Sequence, residues 1–157
     1  MRAFPMPTPM ADRLRLYQLV SPALPVGAFS YSEGLEVLVQ SGQLSSEQAM
    51  EDWLRAELLR GGVAMEAAAL APLMALLRAW SAGEPEAEQQ LRSLDRWLLV
   101  QREAVELRAQ QRQMGRSLVT LLADLGWPLP QVGVPLAWPA AYAWACVSLA
   151  LDSPEVE

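Results

Sequence analysis

The side chains of this chain that could do chemistry fall in two clusters. Tyr31, Ser32, Glu33, Gly34 and Glu36 close a stretch, residues 21–36, that holds two prolines, two glycines and three serines. Arg102, Glu106, Arg108, Arg112, Gly115 and Arg116 form the second, inside an unusually polar run. The chemistry on offer is recognition. Arginine stays charged and presents five donors in a planar fork, which suits bidentate capture of carboxylates and phosphates. Glu36 and Glu106 are complementary acceptors. Neither cluster pairs a nucleophile with a base, the arrangement that covalent or acid–base catalysis needs.

The residue inventory narrows the function further. The 157 residues include no histidine and a single cysteine, Cys146. Histidine is the commonest general base near neutral pH and the commonest transition-metal ligand. A histidine-based triad, or an ordinary zinc or nickel cage within one protomer, is therefore not expected. No cofactor or metal ligand is assigned, and the chain reads as a non-enzyme. Net charge is −6, from 12 basic and 18 acidic residues, and lysine is absent. An acidic surface repels phosphate backbones, so a nucleic-acid partner is not expected. A lone cysteine forms no internal disulfide and fits a reducing compartment, so a cytoplasmic location is expected. The chain is 52% hydrophobic and only 19% charged. Ordinary domains carry about 25% charged residues, so apolar surface is left over for core or interface.

The elements that must position these clusters read as helices almost throughout: an all-α bundle or array of about six to seven helices. Residues 1–11 read as a disordered arm and 12–157 as one domain. A first helix is expected over 12–20, capped by Asp12 and ended by Pro22. A second starts at Ser30, where Ser30 and Glu33 have capping-box spacing, and stops at Gly42. Ser46 caps a third, running to Arg60, with Trp53, Leu54 and Leu58 on its apolar face. A fourth spans 63–80 and is kinked or split by Pro72. A long pattern covers 86–123, with breaks expected near Ser93 or Gly115. No charged residue occurs from Gly126 to Leu151. Four prolines interrupt that stretch, so a short buried helix over 140–151 is expected rather than a membrane span, with a further start at Ser153.

Each candidate also has a purely architectural reading. Ser30 and Glu33 cap a helix, Tyr31 fills core, and Gly34 permits close helix packing. Glu36 is not needed for the cap and is the better candidate for a partner-facing role. Arg102 and Glu106 share a helix face at four-residue spacing, as do Arg108, Arg112 and Arg116. Three arginines in a row repel one another unless acids meet them. Glu33, Glu36 or a partner could supply those acids. Gly115 costs helix stability unless another backbone approaches it closely. Cys146 is expected to be buried and inert, and the six tryptophans mostly core.

Two blocks carry a family resemblance. Ser21-Pro22-Ala23-Leu24-Pro25-Val26-Gly27-Ala28-Phe29-Ser30-Tyr31-Ser32-Glu33-Gly34-Leu35-Glu36, with Leu16-Tyr17-Gln18-Leu19-Val20 before it, resembles the N-terminal signature of the UreF family. Arg102-Glu103, Glu106-Leu107-Arg108 and Arg112-Gln113-Met114-Gly115-Arg116-Ser117-Leu118 resemble its central helix signature. The family pattern continues into a Pro-Leu-Gly-Gln type segment that this sequence lacks, so the domain is expected to be truncated at its C-terminus. The resemblance implies an all-helical, dimerising scaffold in urease maturation. It would bind the accessory protein UreD (UreH), recruit the GTPase UreG and serve nickel insertion into the urease apoprotein, so that nickel is handled by the complex. It makes Tyr31, Ser32, Glu33, Gly34, Glu36 and the second cluster partner-binding residues. Two alternatives are an activator of UreG supplying an arginine such as Arg116, and a membrane-associated helical protein.

Overall fold

The computed structural model describes residues 9–27, 34–131 and 134–151. Among these residues the secondary structure is helical, in eight segments: α1 Pro9–Leu19, α2 Leu35–Gln40, α3 Glu47–Arg60, α4 Gly62–Ala68, α5 Leu70–Ser81, α6 Ala87–Val100, α7 Val105–Asp124 and α8 Trp138–Ser148. The all-α expectation holds, with one or two more pieces than the sequence pattern indicates.

Local chemistry explains most of the boundaries. α1 starts three residues before Asp12, so Asp12 lies inside the helix and is not its cap. The Ser30–Glu33 capping box and the Ser153 start lie outside the described residues. After α2, Gly42 has φ 75°, its N–H donates to the Val39 carbonyl, and the Gln43 N–H reaches the Leu38 carbonyl. That is a Schellman stop, which needs the left-handed conformation that glycine adopts freely. The Ser46 hydroxyl accepts from the Ala49 N–H at 3.2 Å and caps α3. Pro72 has no N–H to give the Ala68 carbonyl four residues back, and the chain breaks there, between α4 and α5.

The core lies between α5, α6, α7 and α8, with α8 packed on both α5 and α7. Leu73, Met74, Leu77, Leu91 and Leu118 are fully enclosed. α8 is small and apolar: Ala140, Ala141, Ala143, Ala145 and Cys146 have no exposure at all. Small side chains let neighbouring helices approach it on every side. Arg15 and Arg78 donate to the Leu149 and Leu151 carbonyls at the C-terminal end of α8, satisfying acceptors there and matching the negative pole of the helix.

α3 has the expected apolar face, yet none of its residues is buried, and Leu58 is 63% exposed. Two expectations are corrected. Of the tryptophans only Trp80 and Trp144 are buried, while Trp97 and Trp127 are exposed. The long pattern over 86–123 breaks at residues 101–104, not at Ser93 or Gly115.

The uncharged stretch does not form one long helix. Residues 126–131 and 134–137 carry no helix, and α8 has 11 residues. Such a helix rises about 16 Å, half of a bilayer's hydrocarbon core. One described run, Glu47–Ser81, is long and apolar enough to cross a membrane by length and composition. Extended backbone at Gly61 divides it, and its first part carries Glu51, Asp52, Arg55, Glu57 and Arg60.

Candidate partner-binding surface

The second cluster does not sit on one helix. Arg102 stands in the turn between α6 and α7, so its expected pairing with Glu106 does not form. Its Nε and Nη2 instead donate to Glu66 Oε1, at 3.2 and 2.6 Å. The two side chains are 16% and 20% exposed, so this ion pair is far drier than the surface pair of Arg55 and Glu51. It ties α4 to the α6–α7 turn. Arg108 Nη1 donates to the carbonyls of Arg102 and Glu103 at 2.6 and 2.9 Å. Those acceptors lie in the turn between α6 and α7, and the guanidinium satisfies both of them. This turn has no glycine or proline, because a tertiary ion pair and a guanidinium hold it.

A half-buried, charge-assisted pair contributes more than an exposed one. A double-mutant cycle of Glu66→Ala and Arg102→Ala is expected to show a coupling of about 1–2 kcal/mol in urea unfolding. Coupling no larger than that of the exposed Glu51–Arg55 pair would refute the clamp.

Arg112 and Arg116 behave differently. Both are exposed on α7 and face a groove of about 470 Å³ between that helix and the proline-rich segment before α8. Val119, Leu129, Val134 and Leu136 line its apolar side, and Asp124 stands along the same wall. Among the described residues Arg116 makes no hydrogen bond or ion pair. Arg112 lends an electrostatic pull to Asp95.

Gly115 sits behind these arginines, on the face of α7 turned to α8. A β-carbon there would run into the Leu136 carbonyl oxygen and lie 2.8 Å from the Ala137 carbonyl carbon. The close backbone approach expected from the sequence is present, and it is internal to the chain. The same Leu136–Ala137 peptide group is held from the other side, where the Ala137 N–H donates to Asp95 Oδ1 at 3.0 Å. Asp95 on α6 and Gly115 on α7 thus grip the entry to α8.

The first cluster is only partly described: Tyr31, Ser32 and Glu33 lie outside the described residues. Gly34 has φ 91° and open space where a β-carbon would stand. It stands at the N-cap of α2 in the left-handed conformation that glycine adopts freely, and no described atom packs closely against it. Glu36 and Glu106 are exposed and make no hydrogen bond or ion pair among the described residues. Among the described residues Glu66 meets Arg102 and Asp95 feels the charge of Arg112, neither of them expected, while Glu33 lies outside the described residues. A signal for Asp95 existed: it follows Ala87 and Leu91 at four-residue spacing and precedes Leu98 by three, on the buried stripe of α6. Gln111 lies likewise on the stripe of Met114, Leu118 and Leu122, is 4% exposed, and its Oε1 has no hydrogen-bond partner among the described residues.

Burial pushes the Cys146 thiol up to about 12, so it stays protonated at neutral pH and is a poor nucleophile. Among the described residues no group of three or more Asp, Glu, Cys or His is placed to hold a metal ion. What the surface can do is bind: guanidinium donors beside an apolar groove, on a rigid helix.

Comparison with known proteins agrees with the helix signature. A sequence model of the UreF family matches residues 44–156. The chain is 43% identical over 143 residues to the urease accessory protein UreF of Thermosynechococcus vestitus, covering 90% of this chain and 61% of that protein. It is 46% identical over 114 residues to the urease accessory protein UreF of Microcystis aeruginosa, covering 73% of this chain and 49% of the relative. For the Alkalilimnicola ehrlichii protein of the same name, identity is 41% over 140 residues, with shares of 87% and 59%. The chain therefore spans about half to six-tenths of the length of these relatives. With the family pattern matched across most of its residues, the chain belongs to the UreF family.

Proposed function

We propose that this chain is a non-catalytic scaffold for urease maturation, acting in the cytoplasm. In this reading it docks UreD (UreH) and the GTPase UreG, and the assembly inserts nickel into the urease apoprotein. The observation that carries the proposal is the 43% identity to a urease accessory protein over 90% of the chain. The exposed arginines of α7 support it, because arginine is enriched where protein interfaces are tightest. Tyr31, Ser32, Glu33, Gly34 and Glu36 are proposed to belong to the same docking role, together with Glu106.

A homodimer is part of the proposal. Leu54, Leu58 and Leu59 on α3 and Leu14 and Tyr17 on α1 are exposed, and apolar residues of this kind are the material of subunit contacts. Arg116, exposed and unbonded among the described residues, is the arginine that a GTPase-activating role would use. Unchanged GTP turnover in the assembled complex carrying Arg116→Ala would remove that role.

The test is co-expression of the tagged chain with UreD and UreG, followed by affinity capture and size-exclusion chromatography with light scattering. Stoichiometric recovery of both companions is expected. Recovery of the chain alone, folded by circular dichroism, would overturn the scaffold reading.

A further inference from the structure

The groove beside α7 has more chemistry than a generic docking face. One end carries two guanidiniums, Arg112 and Arg116, one helical turn apart, which places them about 6 Å apart along the axis. The middle is apolar, with Val119 half-buried on α7 opposite Leu129 and Leu136. Asp124 stands at the far end, eight residues beyond Arg116 and about 12 Å along the helix. Pro128 and Pro135 fix their own backbone φ angles in the opposite wall, so that wall is partly pre-shaped and less entropy is lost on binding. A volume of about 470 Å³ falls within the range of sites that take small organic groups or a few side chains.

We propose that this groove is a slot for an extended acidic–apolar peptide segment of a partner protein. A carboxylate of the segment sits on Arg112 and Arg116, and its next apolar side chains lie on Val119, Leu129 and Leu136. Charge order sets the direction. Asp124 repels a second carboxylate and favours a basic residue or a peptide N–H at that end. An extended chain covers about 3.3 Å per residue, so four residues reach from the arginines to Asp124. A free phosphate would satisfy the guanidiniums but leave the apolar wall wet. A polyphosphate long enough to fill the slot would meet Asp124. The proposal rests on the docking role proposed above and adds the chemistry of the segment recognised.

The test uses the whole chain, labelled with ¹³C at its methyl groups and titrated by nuclear magnetic resonance. The probes are the blocked tetrapeptide Glu-Leu-Val-Lys, its Gln-Leu-Val-Lys counterpart, and inorganic phosphate. The acidic peptide is expected to shift the Val119, Leu129 and Leu136 methyl signals saturably, and the glutamine counterpart to bind at least tenfold more weakly. Two altered chains should each lose at least tenfold. One is the double substitution Arg112→Gln with Arg116→Gln. The other is Thr120→Glu, which places a carboxylate four residues after Arg116 and pairs with it internally. All altered positions are exposed, so the fold is kept. Equal binding of the two peptides overturns the proposal, as does a phosphate response equal to that of the acidic peptide, and so does an unaffected double variant. Failure of peptide binding while UreD and UreG are still captured removes the slot alone. Peptide binding without capture removes the accessory role alone.

Discussion

Gly115→Ala is expected to lose about 2–3 kcal/mol of unfolding free energy, although alanine is the better helix former. On an exposed helix face the exchange would gain up to about 1 kcal/mol. At this site the added carbon meets the Leu136 carbonyl oxygen and the Ala137 carbonyl carbon, both of them backbone. A flexible side chain could rotate away. A peptide group cannot, and this one is also held by Asp95 through the Ala137 N–H. Relief requires α7 and α8 to separate, at the contact that encloses Leu118, Ala141 and Ala145. The cost therefore combines overpacking with loss of buried contact. Urea unfolding followed by circular dichroism at neutral pH measures it, with Gln113→Ala on the exposed side of α7 as the propensity control. If both alanines gave the same small change, the close approach at Gly115 would be disproved.

Where the sequence pattern spoke clearly, the reason was local chemistry. Gly42 ends α2, Ser46 starts α3 and Pro72 splits α4 from α5, each through backbone geometry or a hydrogen bond within a few residues. The features that escaped are tertiary. The turn at 101–104 has no breaker residue, and its cause is Arg108 on two carbonyls and Arg102 on Glu66, a residue thirty-six positions away. The apolar periodicity of α3 marks which face is apolar, and cannot say whether another element covers it. Arg108, Arg112 and Arg116 share a spacing, yet one caps a turn while the other two face a groove. That division depends on where the segment before α8 lies, which helical periodicity does not encode. Gly115 was legible because a glycine inside a good helix pattern conflicts with propensity and calls for a packing reason.

Asp95 is the other half of the grip on α8, and its ionisation gives a measurable signature. Burial raises its pKa from 3.8 to about 6; the Ala137 N–H and the Arg112 charge pull it down by less. The folded chain therefore holds this proton more tightly than the unfolded chain. Between about pH 4 and pH 6 the folded state is the more protonated, so stability from this group is full below pH 4 and is lost as pH rises through 6. A shift of about two units corresponds to about 3 kcal/mol. Asp95→Asn cannot ionise, but it keeps an oxygen to accept from Ala137. The difference in unfolding free energy between variant and parent is then expected to move by about 3 kcal/mol in the variant's favour from pH 4 to pH 7. The other titrating groups cancel in that difference, and so does any fixed cost of the new amide N–H. A difference that stays flat across the range would mean that Asp95 is solvated and does not anchor the start of α8. A difference moving the opposite way would mean that the Ala137 and Arg112 interactions outweigh burial. In the flat case the tight packing at Gly115 would be left as the grip on that peptide group, whereas in the second Asp95 would hold it more firmly when ionised.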